Sequence, residues 1–121
     1  MWNIPTKKEL SEIPGLYENK NGKDYGAIVH MHFFVGACDW FVTEFDGEDI
    51  FYGFAILNND LQNAEWGYVS FRELKSVKVG LSVHINGSNS KKTGCIEVDR
   101  DLYWTKRPAR DVEKIMEAIN Y

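Results

Sequence analysis

Cysteine is scarce: the 121 residues contain two, Cys38 and Cys95. They lie too far apart for a C-x-x-C pair, so neither a disulfide framework nor a zinc module is expected. Positive charge is also short, with 14 Lys+Arg against 18 Asp+Glu and a formal net charge of −4. A general, charge-driven binder of nucleic acid or anionic membrane is thereby excluded unless cations cluster locally. No apolar run approaches the roughly 20 residues of a membrane span, and Met1 to Pro5 lack a basic region leading into an apolar one. A reducing, cytoplasmic location is the expectation, and there the Asn86-Gly87-Ser88 sequon has no consequence. The chain carries no repeat, low-complexity tract or linker. It also lacks a Ser-His-Asp order, a nucleophile elbow, a phosphate-cradling glycine loop and a dinucleotide fingerprint, so no cofactor is implied.

Apolar and aromatic residues are plentiful, at 44% and 14%, enough to pack one core and too many for a disordered chain. A single domain over residues 1–121 is expected. Thr6 to Glu9 (TKKE) matches a capping box opening a short helix that carries Leu10, Ile13 and Tyr17, stopped by Pro14-Gly15. Two turns are unstable alone, so this helix must dock on a sheet. From Ala27 the period becomes two. Ala27, Val29, Met31, Phe33 and Val35 fall on one strand face and Ile28, His30, His32 and Phe34 on the other, so both faces should be at least partly covered. Asp39 to Phe45 and Ile50 to Leu57 read as the next two strands, joined by the turn former Asp46-Gly47-Glu48-Asp49. Gly53 inside the latter marks a bulge or the close approach of a neighbouring aromatic.

Glu65 to Val69 reads as a fourth strand, and Ser70 to Glu73 (SFRE) as a second capping box opening a short middle helix. Val79, Leu81, Val83 and Ile85 alternate with polar or small residues, Asn86 to Gly94 contains loop formers, and Cys95 to Leu102 alternates again, which together describe a hairpin. Pro108 occupies an expected first helical position, with Val112, Ile115, Met116 and Ile119 as the apolar stripe of a closing helix. The fold class is α+β: a mainly antiparallel sheet of five or six strands, with short N-terminal and middle helices and a C-terminal helix over 108–121.

Several segments occur in a distinctive order: Asp39 to Asp46 (DWFVTEFD), Phe51 to Phe54 (FYGF), Glu65 to Leu74 (EWGYVSFREL) and Ile96 to Trp104 (IEVDRDLYW), preceded by Pro14 to Tyr17 (PGLY). Over about 6–104 the chain resembles bacterial domain-of-unknown-function family 2958. The resemblance implies a small single-domain protein of a kind often carried on plasmids and other mobile elements, and it transfers no catalytic residue or cofactor. Relative to that pattern, 79–94 reads as an insertion and the helix after Pro108 as an addition.

Four groups of residues invite a functional reading. His30 and His32, two apart, would leave one strand face as half of a metal site, with His84, Glu97 and Asp99 as further ligands if the hairpin brings them near; the bland alternative is half-buried, hydrogen-bonded sheet histidines. Glu97, Asp99 and Asp101 form an acidic row that suits a divalent cation or, equally, a solvated sheet face. Arg100 is in phase with Ile96, Val98 and Leu102 and needs a carboxylate, with Asp39, Glu44 or Asp46 as candidates, either as a register-fixing ion pair or in a pocket beside Trp40, Tyr103 and Trp104. Lys106, Arg107 and Arg110 cluster where the last helix should begin, a place the helix dipole disfavours for cations, so an acidic partner or phosphate would relieve them; a solvated face is the alternative.

The leading expectation is a non-enzymatic accessory domain that binds a protein partner through Trp40, Glu44, Asp46, Arg100, Asp101, Tyr103, Trp104, Lys106, Arg107 and Arg110. One specific form is a counter-defence inhibitor (anti-CRISPR or anti-restriction) of a host nuclease. The opposing expectation is a metal-dependent hydrolase or nuclease built on the His and carboxylate residues. Oligomeric state is left open.

Overall fold

The computed structural model describes residues 3–17, 24–84 and 91–121, with 24, 78–84 and 91–96 described by their backbone alone. Helix α1 spans Lys7–Ser11, and the expected capping box forms: the Thr6 hydroxyl accepts from the Glu9 amide while the Glu9 carboxylate accepts from the Thr6 amide. Strands β1 (Ile28–Val29), β2 (Met31–Val35), β3 (Cys38–Phe45), β4 (Ile50–Ile56) and β5 (Glu65–Ser70) follow, then helix α2 (Phe71–Ser76). The hairpin β6 (Lys78–His84) and β7 (Lys91–Glu97) precedes β8 (Asp99–Arg100), β9 (Arg107–Pro108) and helix α3 (Glu113–Ile119). The principal sheet is five-stranded and antiparallel in the order β5-β4-β3-β2-β8, while β1-β9 and β6-β7 form separate two-stranded ladders. The expected α+β architecture is therefore present. No helix among the described residues is long and apolar enough to cross a membrane.

Both faces of the sheet are covered. On one, Leu10 and Ile13 of the α1 segment and Phe71 and Leu74 of α2 cover Met31, Phe33, Trp40, Val42, Phe45 and Phe51. On the other, Ala109, Val112 and Ile115 cover Val29, Phe41, Phe54 and Ile56. Each short helix is held by this burial, since none is long enough to be stable alone. Strand β3 is central, and Thr43 is the extra residue of a bulge between Val42 and Glu44. Opposite it, a Cβ on Gly53 would stand 2.0 Å from the Phe41 carbonyl oxygen, so the close approach is by backbone and no side chain larger than hydrogen fits.

Four expectations need correcting. The first strand is broken at His30: Val29 packs on the α3 side and Met31 on the α1/α2 side, so Ala27 to Val35 do not share one regular alternation. Strand β7 begins at Lys91, which places Lys91 to Gly94 in the ladder instead of the loop, because backbone pairing with Leu81–His84 overrides their weak strand preference. At Ser70 half a capping box forms: its hydroxyl accepts from the Glu73 amide and donates to Asp49 at 2.5 Å. The closing helix starts at Glu113, five residues after Pro108, because Arg107–Pro108 is extended and pairs with Ile28–Val29. A proline lacks only a donor, and a two-residue edge ladder tolerates that.

Candidate functional site

Strand β8 lies beside β2, with Phe33 opposite Arg100 and Phe34 opposite Asp99, and the ladder ends with the Asp101 amide donating to the His32 carbonyl at 3.0 Å. The chain then leaves the sheet in a tight turn. The Asp101 carboxylate accepts from the Tyr103 amide at 3.0 Å, and the Trp104 amide donates to the Asp101 carbonyl at 3.2 Å. Trp104 returns the chain to the fold by donating its indole N–H to the Val29 carbonyl at 2.9 Å, and the Arg107 guanidinium lies 3.8 Å from the centre of its ring. Between these anchors Leu102 is 59% and Tyr103 94% exposed.

Beneath the turn, His32 links three elements. Its Nε2 is 2.7 Å from Asp39 of β3 and its Nδ1 is 3.3 Å from the second oxygen of Asp101. The Asp39 carboxylate also accepts from the Lys114 ammonium of α3. The imidazole stacks on Phe41, 4.6 Å between ring centres and 7° from parallel, with Trp104 tilted alongside at 5.4 Å. A carboxylate only accepts, so in either contact the imidazole nitrogen is the donor. Burial would push the Asp39 carboxyl up, but the hydrogen bonds from His32 and Lys114 outweigh it and hold the group below its ordinary value.

Arg100 finds none of its expected partners: it pairs with Glu9 of α1 at 2.6 Å, while Asp39 is engaged by His32 and Lys114. The hydrogen bond from Arg100 first, and then that from the Thr6 amide, lower the Glu9 carboxyl from 4.5 to about 2. Glu44 is 1% exposed and accepts from the Tyr17 amide at 3.2 Å, and Trp40, 9% exposed, lies in the core, so neither is at the surface. Asp46 folds its own turn, accepting from the amides of Glu48, Asp49 and Ile50. Lys106 is 3.4 Å from Glu12. Arg110 is exposed in the single 3-10 turn Ala109–Asp111. Lys106, Arg107 and Arg110 all precede α3, so none of them lies in its first turn as expected.

The two adjacent histidines also part company. His30 occupies the strand break and lines a cavity of about 190 Å³ with Glu9, Glu12, Arg100, Trp104 and Lys106. Its Nδ1 is buried with no hydrogen-bond partner among the described residues, and burial, with Lys106 adding to it and Glu12 opposing, lowers its pKa below 6.5. Glu97 is exposed, and Asp99 accepts from the Asn3 amide at 3.0 Å. The His84 side chain lies outside the described residues; along the backbone His84 pairs with Lys91 and Glu97 with Lys78, at opposite ends of the hairpin, about 20 Å apart at the usual rise per residue. Among the described residues no group of three His, Cys, Asp or Glu side chains is arranged to hold a metal ion.

Sequence reasoning brought Asp101, Tyr103, Trp104, Arg107 and Lys106 to one segment, and the fold keeps them there. It missed Lys114 and the bond of Asp39 to His32. The available signal was a carboxylate on an otherwise apolar, aromatic strand, which has to be paired if buried.

Residues 6–93, more than half of the chain, match the family described as "Protein of unknown function (DUF2958)", and the chain belongs to that family. The matched span takes in α1 through β6 and ends within β7. Neither the curated proteins nor the solved structures include a match to this chain.

Proposed function

We propose that this member of the family is a protein-binding accessory domain that engages its partner through the turn after β8, with Leu102 and Tyr103 as the apolar anchor. The observation carrying this reading is the near-complete exposure of Tyr103, 94%, on a turn whose two ends are tied into the fold by Asp101 and Trp104. A large apolar side chain exposed on a floppy loop loses much of its binding energy to ordering. On a turn already tied down, that cost is prepaid. Tyrosine, tryptophan and arginine are also the residues that dominate binding energy at protein interfaces. Lys106 and Arg107 flank the tip, so the complementary partner surface has an apolar pocket with an acidic rim.

A counter-defence role would be one instance of this reading, recognised by the partner being a nuclease. The metal-hydrolase reading has no comparable support, since among the described residues no three His, Cys, Asp or Glu side chains are grouped to hold a metal ion.

The test compares quantitative capture from a bacterial lysate by the native chain and by the double variant Leu102→Ala, Tyr103→Ala. Both residues are exposed, so the variant's thermal midpoint should stay within a degree or two of the native value. A partner retained by the native chain and reduced at least about tenfold by the variant is expected. Identical capture profiles from two equally folded baits would refute the proposal.

A further inference from the structure

The α1/α2 face carries a second site, remote in sequence from the turn after β8 and independent of its reading. Between the two helices lies a cavity of about 500 Å³ whose walls are α1, α2 and the Gly47–Asp49 turn. That volume is in the range of small-molecule sites, roughly 300 to 1,000 Å³. Its floor is apolar: Leu10, Ile13, Phe45 and Phe71 line it. These four keep 6–8% exposure, whereas Phe33, Phe51 and Leu74 of the same cluster are at 0–1%. The floor is therefore buried, though less completely than the centre of the cluster.

The rim has a definite charge. Lys7, Arg72 and Lys75 line the cavity, all three exposed, and no ion pair involving them occurs among the described residues. Lys75 holds its ammonium 4.6 Å from the Phe71 ring centre, directly beside the apolar floor. The acidic residues on the wall are Glu48 and Asp49, and Asp49 is already occupied, accepting from the Ser70 hydroxyl and the Arg72 amide. Three cations against the two carboxylates Glu48 and Asp49, the latter beside Arg72, leave the rim a net single positive charge, which with the apolar floor complements a molecule with an apolar body and one anionic group.

We infer that this cavity binds a small amphipathic anion, its apolar part on Leu10, Ile13, Phe45 and Phe71 and its anionic group toward Arg72, Lys75 and Lys7. Phe71 and Leu74 bury the apolar face of α2, while Arg72 and Lys75 are its solvent-side residues, so changing their charges costs one core contact, that of Lys75 with the Phe71 ring, and removes no buried side chain.

The experiment titrates the full chain with decanoate, decanol and decylammonium at low ionic strength, following amide shifts by NMR. Saturable shifts centred on residues 7–13, 45–49 and 71–75, with decanoate bound more tightly than either isostere, are expected. The double variant Arg72→Glu, Lys75→Glu should fold normally and weaken decanoate by about tenfold or more. Equal binding of decanol, retention of decanoate by the charge-reversed variant, or shifts confined to other surfaces would overturn the inference. An acetylated Glu-Phe-Glu peptide that saturates the same amides where decanoate does not would also overturn it, in favour of peptide docking.

Discussion

Asp39→Ala should be among the most damaging single changes of a polar residue in this protein. The carboxylate is 6% exposed and holds two donors, His32 Nε2 at 2.7 Å and the Lys114 ammonium. A hydrogen bond to a charged group contributes about 1.5–3 kcal/mol. The two losses differ in recovery: the Lys114 side chain is 37% exposed and can turn to water, whereas the His32 side chain is 14% exposed and stays under Phe41 and Trp104. Discounting the lysine, the expected cost is about 3 kcal/mol for alanine. Asparagine keeps one acceptor and should cost about half of that. Lys114→Met, which leaves the His32 bond intact, should cost about 1 kcal/mol. Equilibrium urea unfolding reads these as midpoint shifts at constant slope, about 2 M for the alanine variant if the slope is about 1.5 kcal/mol per M. If Asp39→Ala and Asp39→Asn both fall within about 0.5 kcal/mol of the native chain, the linked His32 cluster contributes nothing and the reasoning fails. If Lys114→Met matches Asp39→Ala, the imidazole has no part in it.

Other consequences follow from neighbouring contacts. Gly53→Ala drives a methyl into the Phe41 carbonyl and should destabilise by about 3 kcal/mol, seen as a large drop in thermal midpoint; a neutral result would mean the bulge at Thr43 yields easily. Trp104→Phe loses the hydrogen bond to Val29 and weakens the stacking of Arg107, at about 1–2 kcal/mol by urea unfolding. The pH dependence has two windows. His30 has a folded pKa below its unfolded 6.5, so its contribution is complete above 6.5 and is lost as pH falls below it; His30→Gln should flatten the stability profile there. Glu9 is likewise depressed, so the stability it shares with Arg100 is present above 4.5 and disappears between 4.5 and about 2, and Glu9→Gln should remove that part of the acid transition.

The architecture was legible where one local rule decided it. The aromatic and apolar run Ile50 to Leu57 after a turn former, the capping residues Thr6 and Glu9, and the turn at Asp46 each specify a local structure that tertiary contacts then confirm. The break at His30 was hidden because the apolar alternation runs through it, and only the change of packing partner from Val29 to Met31 reveals it. Pro108 fits a helix start and an edge strand equally well, and the choice is made by Ile28–Val29, some 80 residues earlier in the chain. Site residues suffered most from long-range choices. Arg100 was rightly seen to need a carboxylate, but Glu9, 91 residues away, supplies it by the docking of α1. Glu44 and Trp40 looked like surface groups because nothing local shows that β3 is the central strand.

The central claim is that the turn after β8 presents Leu102 and Tyr103 in a fixed conformation. Backbone ¹⁵N relaxation measures this directly at the amides of residues 101–104. Order parameters near 0.85, as in rigid backbone, are expected, falling toward 0.6 when Asp101→Ala cuts the turn from His32. Values already below about 0.6 in the native chain would contradict it.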